Sequence, residues 1–297
     1  MRGLKLILVL LAVSVAAFIM WKQVTRPSIS IEQIQRDSAS LAKQELKFLS
    51  RGHDFAHYDL FLISTAGDTV KGYYRVPANT RKLPALIWLY DSQSGVDAKS
   101  MLDRIPESGH CAIIAFNCFT QFEHRSDGSL DRSDDALSQG LLKSKRAVEL
   151  FVQFLKKHHV VDSSLVYAGG EGIGIASLIS AASGSTGRAR GFIFAEPLDD
   201  QLAELFAKNE IVSLLRLSSK VFPTPCVLVT NGTARLKELL PSHWGCELVS
   251  MKPVAAGEAG EINAALKSGL EWILKANPVK DDVPGLTDST RVFNVRK

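Results

Sequence analysis

The sequence predicts a three-layer α/β fold: a mostly parallel eight-stranded sheet, opened by an antiparallel hairpin on its N-terminal side, with helices on both faces. Three observations carry this prediction. Short continuous apolar runs alternate with stretches of helical periodicity, the pattern of strands buried on both faces and of the crossover helices that cover them. Two strand-like runs, "HYDLFLIS" and "TVKGYYRV", are separated only by "TAGD", a glycine-containing turn that makes a hairpin. A third stretch, "SLVYAGGEGIGIASLISAA" from Ser164, passes from a strand into a helix through a turn of glycines.

Taken in chain order, the first element stands apart from the fold. Leu6 to Trp21 is an apolar run without a charged residue, follows Arg2 and Lys5, and ends at Lys22. The run is slightly short for a spanning helix of ~20 residues and longer than the usual core of an export signal. Ser14 and Ala16 suit cleavage, whereas Phe18 to Trp21 and the interfacial Trp21 suit a retained anchor with its N-terminus in the cytoplasm. Residues 1–22 are therefore a signal-anchor or a signal peptide, which places the folded part outside the cytoplasm. Residues 23–36 read as a linker, and Asp37 to Leu49 as an amphipathic helix with Leu41, Leu46 and Leu49 near one face. After the hairpin come the buried-strand run "PALIWLY", a short helix near Ala98 to Ile105, and the strand "CAIIAFN". Asp134 to His158 carries Leu137, Leu141, Val148, Phe151 and Leu155 at helical spacing. The glycine turn and its helix follow, then "RGFIFAE", a helical stretch, "PCVLVTNG", a second helical stretch, and "GCELVSM". A last helix carries Ile262, Leu266 and Ile273. With no internal repeat, 37–276 reads as one domain, and 277–297 as an extended or disordered tail.

Composition narrows the function. The chain has 297 residues, 46% hydrophobic and 22% charged, which excludes a wholly disordered protein. Its net charge of +4 is spread without a long basic run, so nucleic acid is not an expected partner. Of the four cysteines, Cys226 and Cys246 begin neighbouring strands and form the one pair suited to a disulfide; buried free thiols are the competing reading. None has zinc-ligand spacing. His158 and His159 are adjacent, point to different faces and read as a solvated helix end. His53 and His57 around Asp54 read as a polar lead-in to a strand, and Trp88 as core. Asp131, Asp134 and Asp135 precede a helix, where acidic side chains favour the dipole. No metal and no cofactor is expected. The glycine turn fits neither the dinucleotide fingerprint, since Ile175 and Ser177 fall where its third glycine belongs, nor a phosphate loop, since Ile175 stands where lysine is required.

The hairpin ending in "GYYRVP", the following "LPALIWLYDSQSG", and the long helix before "SLVYAGGEGIGIA" together resemble the α/β-hydrolase superfamily over roughly Tyr58 to Lys275. The dienelactone-hydrolase-like and prolyl-oligopeptidase-like enzymes, compact members with few insertions, are the most similar. The resemblance implies an elbow in which a nucleophile projects from a strained strand-to-helix turn between small residues. Gly170 and Gly174 supply those small residues, and Gly172 stands where the nucleophile belongs. The family's histidine after the final strand has no counterpart, because no histidine occurs from Trp244 to Lys297. Its acid after the strand "PCVLVTNG" is also missing; Glu196 and Asp199 lie after the preceding strand, where loop or helix-capping roles suit them. Its oxyanion loop reads Tyr90-Asp91-Ser92, and Asp91 would oppose a developing negative charge. The expectation is thus a membrane-anchored hydrolase-like protein without serine-hydrolase activity that binds a small ligand or a protein partner. Its candidate pocket is Tyr90, Asp91, Ser92, Glu171 and Glu196. An active esterase or peptidase using unconventional residues such as Glu171, Glu196 or Asp91 is the alternative.

Overall fold

The computed structural model describes residues 11, 13–15, 29–78, 82–91, 102, 111–182, 189–195, 200–214, 217, 224, 226–230, 238–240, 247–250, 269, 271 and 273. A short helix α1 (Ile31–Arg36) opens the described fold, closed at its start by a capping box: Ser30 Oγ accepts from the Gln33 amide and Gln33 Oε1 accepts from the Ser30 amide. Ile34 on this helix is fully buried, so the segment expected as a linker contributes to the core.

Next come strands β1 (Leu41–Arg51), β2 (Phe55–Ser64), β3 (Thr69–Pro77), β4 (Leu83–Tyr90) and β5 (Ala112–Asn117). A 3₁₀ turn (Cys118–Gln121) and helix α2 (Asp134–Lys157) lead to β6 (Val161–Glu171), α3 (Gly174–Ala182), β7 (Phe192–Ala195), α4 (Asp200–Lys208), β8 (Cys226–Thr230) and β9 (Glu247–Ser250). One sheet holds nine strands in the order β1-β2-β3-β5-β4-β6-β7-β8-β9. All eight expected strands are present as β2 to β9. The additional one is β1, which corrects the reading of Asp37 to Leu49 as a helix.

The hairpin β2–β3 turns at Gly67, φ 92°, with Ser64 Oγ accepting from the amides of Ala66 and Asp68. From β5 through β9 neighbouring strands run parallel. Helix α2 starts at the N-cap Ser133, carries Asp134 and Asp135 in its first turn and Lys156 and Lys157 in its last, and buries the five apolar residues that predicted it. Asp131 accepts from the Ser133 amide, Asp134 from Asn209 and Asp135 from Gln139, so this acidic group is committed to the helix start. The histidine pair at the other end of α2 is only half solvated: His159 is exposed, but His158 packs against Tyr74 and Phe154.

Two apolar layers cover the sheet. Helices α2 and α3 close one face over Leu60, Leu62, Ile87, Leu89, Ile114 and Phe116; the other face gathers Trp88, Tyr90, Tyr167 and Ile193 with Leu102 and Ile273 from helical positions. Gly269, Glu271 and Ile273 fall in the expected last helix; the remainder of that helix, most of Ala98 to Ile105 and the tail 277–297 lie outside the described residues.

Candidate functional site

The strand order sets the location. The chain leaves β4 for β5 on one side and then crosses to β6 on the other, so the direction of travel reverses at β4. Ligand crevices in open α/β sheets form at such switch points, beyond the carboxyl ends of the strands. Here that edge holds Asp91 after β4, Cys118 after β5, and Glu171 with Gly172 at the end of β6.

The turn between β6 and α3 is a closed elbow. Gly172 has φ 55°, the left-handed region that glycine enters at least cost. A Cβ at Gly170 would lie 2.9 Å from the Leu89 carbonyl oxygen, and one at Gly174 would lie 2.9 Å from Leu89 Cβ and 3.1 Å from Cys118 Sγ. Both neighbours are therefore small because β4 passes directly beneath the turn.

At Gly172 a Cβ would sit 2.4 Å from Asp91 Oδ2, 2.6 Å from Asp91 Cβ and 2.9 Å from Asp91 Cγ. The Asp91 side chain thus fills the space into which a residue at position 172 would project. Its Oδ2 accepts a hydrogen bond from the Ile173 amide at 2.9 Å. In serine hydrolases of this architecture the amide following the nucleophile is an oxyanion donor; here a carboxylate of the chain itself takes it. The same contact caps the N-terminus of α3, where a negative charge is favoured by the helix dipole.

Cys118, absent from the residues that the sequence pattern singles out, lies under the elbow. Its thiol is fully buried, donates to the Tyr90 carbonyl at 3.2 Å, and is pushed well above the usual thiol range by burial and by the charges of Asp91 and Glu171. A thiol so buried and so held in its protonated form is no nucleophile. The signal that would have found it is its position directly after a buried strand that ends at this edge.

The expected pocket residues separate. Asp91 and Glu171, both half-buried, come together around Cys118. Tyr90 does not join them: it is 2% exposed and packs with Trp88 and Tyr167 on the opposite face of the sheet, as alternation along a strand requires. Ser92 and Glu196 lie outside the described residues, as does Cys246. Cys226 is in a disulfide, while Cys111 and Cys118 are free and buried. Among the described residues, no group of three His, Cys, Asp or Glu side chains is placed to hold a metal ion. Among the described residues, the edge presents an acidic, backbone-capping arrangement in which the Asp91 carboxylate occupies the space beside Gly172 and takes the Ile173 amide.

No protein-family model and no curated protein matches this sequence. Solved structures do match its fold. An acetyl xylan esterase from Paenibacillus sp. R4 aligns with TM-score 0.56 at 10% identity, over 84% of this chain and 97% of that one. Acetyl xylan esterase 1 from Thermoanaerobacterium sp. JW/SL YS485 aligns with TM-score 0.52 at 14% identity, over 84% and 95%. The fluorophosphonate-binding serine hydrolase F of Staphylococcus aureus aligns with TM-score 0.52 at 9% identity, over 74% and 99%. The chain has the α/β-hydrolase fold.

Proposed function

We propose that this chain is a membrane-anchored, extracytoplasmic protein built on the α/β-hydrolase fold, without serine-hydrolase activity, that works as a binding or interaction module for a small ligand or a protein. The observation that carries this reading is the Asp91 carboxylate, which stands in the space beside Gly172 and holds the Ile173 amide. Fold alone does not imply activity, because chemistry resides in the site. The absence of any histidine from Trp244 to Lys297 leaves the family's proton-transfer role unfilled.

The anchor rests on Leu6 to Trp21. Its helical positions Leu11, Val13 and Val15 are 63%, 60% and 50% exposed, an apolar surface that a bilayer would cover. No helix among the described residues is by itself long and apolar enough to cross a membrane. The disulfide at Cys226 supports an oxidising compartment. We infer that its partner is Cys246: the other two cysteines are free, and the register pairs Val227 with Glu247, one residue further along each strand. Secretion after cleavage of 1–22 is the alternative for the same compartment.

The second functional reading, an active esterase or peptidase, draws its support from the esterases among the structural neighbours. It needs a carboxylate, Asp91, Glu171 or Glu196, in place of the usual nucleophile. The test is the full chain in detergent, treated with a fluorophosphonate probe and with a panel of acetyl to butyryl esters. Neither labelling nor turnover above the uncatalysed rate is expected. Ester turnover that disappears in Asp91→Asn or Glu171→Gln would establish the second reading instead.

A further inference from the structure

Strand β1 ends the sheet, and no described strand lies beyond it. From Ala42 onward every residue of the strand is exposed. Leu46, Phe48 and Leu49 are 36%, 56% and 40% exposed, large apolar side chains that a solvated edge does not ordinarily display. Between its two bulges the run Lys43 to Phe48 pairs with β2 without a break, so its outer edge presents a regular row of backbone donors and acceptors. Edges of this length are normally blunted by lysines, prolines or inward charges. This run has Lys43 and Lys47, but Glu45 lies between them and there is no proline.

We propose that the occupant of this edge is a second copy of the chain, paired antiparallel through β1 in a register centred on Leu46. Charge complementarity selects both the partner and the register. About Leu46 as the two-fold position, Glu45 of each copy faces Lys47 of the other, Gln44 faces Phe48, and Leu46 faces its own counterpart. Centring on Glu45 instead opposes two glutamates and sets Lys43 against Lys47; centring on Lys47 opposes two lysines. Cross-strand opposite charges stabilise a pair by about 0.2–1 kcal/mol and like charges destabilise it, so the Leu46 register is favoured over both neighbours.

The same register is consistent with the faces of the sheet. Leu46 pairs with Leu60 and Phe48 with Tyr58, whose ring it meets edge-on at 5.7 Å, so both side chains continue the apolar face covered by α2. In the pair, Leu46 and Phe48 of the two copies form one strip across the joint. The Glu45–Lys47 pairs fall on the opposite face, where Lys47 adjoins Asp59. A bilayer surface would also cover these apolar groups, but it leaves the edge amides and carbonyls unpaired, which a strand does not.

The measurement is the mass of the full chain in non-ionic detergent by light scattering, with circular dichroism confirming that each variant is folded. The native chain is expected at twice its monomer mass, Glu45→Lys at the monomer mass, and the charge-swapped double variant Glu45→Lys with Lys47→Glu at the dimer mass again. Under mild oxidation Leu46→Cys is expected to cross-link, because the two copies of that residue face each other across the ladder. Gln44→Cys is not, because its copies are ~13 Å apart along the strands. A monomeric native chain overturns the proposal, including one whose binding to anionic vesicles is lost in Phe48→Ser. A dimer that Glu45→Lys leaves intact, as one joined through the N-terminal helix would be, overturns it too. Failure of the charge-swapped variant to regain the dimer overturns the register.

Discussion

A side chain at position 172 meets two obstacles of different origin, and they can be separated. The backbone there, at φ 55°, costs a non-glycine residue about 1–2 kcal/mol. Independently, its Cβ would fall within 2.6 Å of Asp91 Cβ, an atom tied to the backbone that cannot swing aside. Gly172→Ser is therefore expected to lower stability by about 2–3 kcal/mol and to gain no esterase activity, since Asp91 already holds the Ile173 amide and no histidine follows the last strand to pass a proton to the leaving group. Asp91→Gly removes all three close atoms, at the cost of the Ile173 hydrogen bond and some backbone entropy, about 1–2 kcal/mol. The steric part then cancels in the double variant. A double-mutant cycle read from urea midpoints should show the pair less destabilised than the sum by about 1 kcal/mol. Strict additivity would mean that Asp91 does not occupy that space. Gly170, Gly172 and Gly174 made the elbow legible, because glycine is the residue that such a turn demands. The role of Asp91 was not legible: its partner is a backbone amide 82 positions away, and amides leave no signature in sequence.

Strand β1, expected as a helix, is shaped by a neighbour rather than by its own pattern. Leu41, Leu46 and Leu49 suggest a helical face, and bulges next to Lys43 and Ser50 break the strand's alternation. What draws the segment out is one face of α2. Arg146 grips the Asp37 carboxylate through Nε and a terminal nitrogen at 2.7 and 3.0 Å. Lys145 Nζ donates to the Asp37 carbonyl and to Glu149 Oε1, Glu149 Oε2 accepts from the Ala39 amide at 2.8 Å, and Gln153 both donates to the Ala39 carbonyl and accepts from the Leu41 amide. Three of these contacts, to the Asp37 and Ala39 carbonyls and the Leu41 amide, hold backbone groups that a helix would have used internally, so the clamp and a helical 37–49 exclude each other. Lys145 and Glu149 are fully buried, so Glu149→Leu strands an ammonium and an amide in the interior, a loss of about 3–5 kcal/mol. Lys145→Met added to it should recover part of that loss, because no unpaired charge then remains. Hydrogen exchange should report the site of damage: amides of Lys43 to Phe48 are expected to lose protection ahead of those of β4 and β6. Unchanged exchange in β1 would show that the clamp does not hold the strand.

Across the whole molecule, the order of elements was readable because parallel strands are buried on both faces and so appear as unbroken apolar runs. The sheet order and the pairing across β4 were not readable, since crossovers carry no local code. Stability as a function of pH is likewise a property of the assembled fold. His158, wedged between Tyr74, Phe154 and His159, has its pKa lowered to about 4, first by burial and then by the neighbouring histidine. Its Nδ1 lies 3.4 Å from the Tyr74 hydroxyl, whose own ionisation burial pushes upward. An unfolded chain protonates this ring near pH 6.5 and the native fold only near 4, so the unfolded state binds the extra proton between those values. Stability is then full above about pH 6.5, declines as pH falls toward 4, and levels off below. The whole shift corresponds to about 3 kcal/mol, reduced to about 1–2 kcal/mol by solvent at the half-exposed ring. Asp37, held low by Arg146, adds a loss in the same direction only below the ordinary carboxylate range. His53 is raised by Asp54 and moves the opposite way, but it is fully exposed, where such pairs carry little. Urea midpoints at pH 7.5, 5.5 and 4.5 should therefore fall steadily for the native chain and stay nearly level for His158→Gln, which keeps a partner for Tyr74 without a titrating ring. Equal slopes in the two proteins would transfer the pH dependence away from His158.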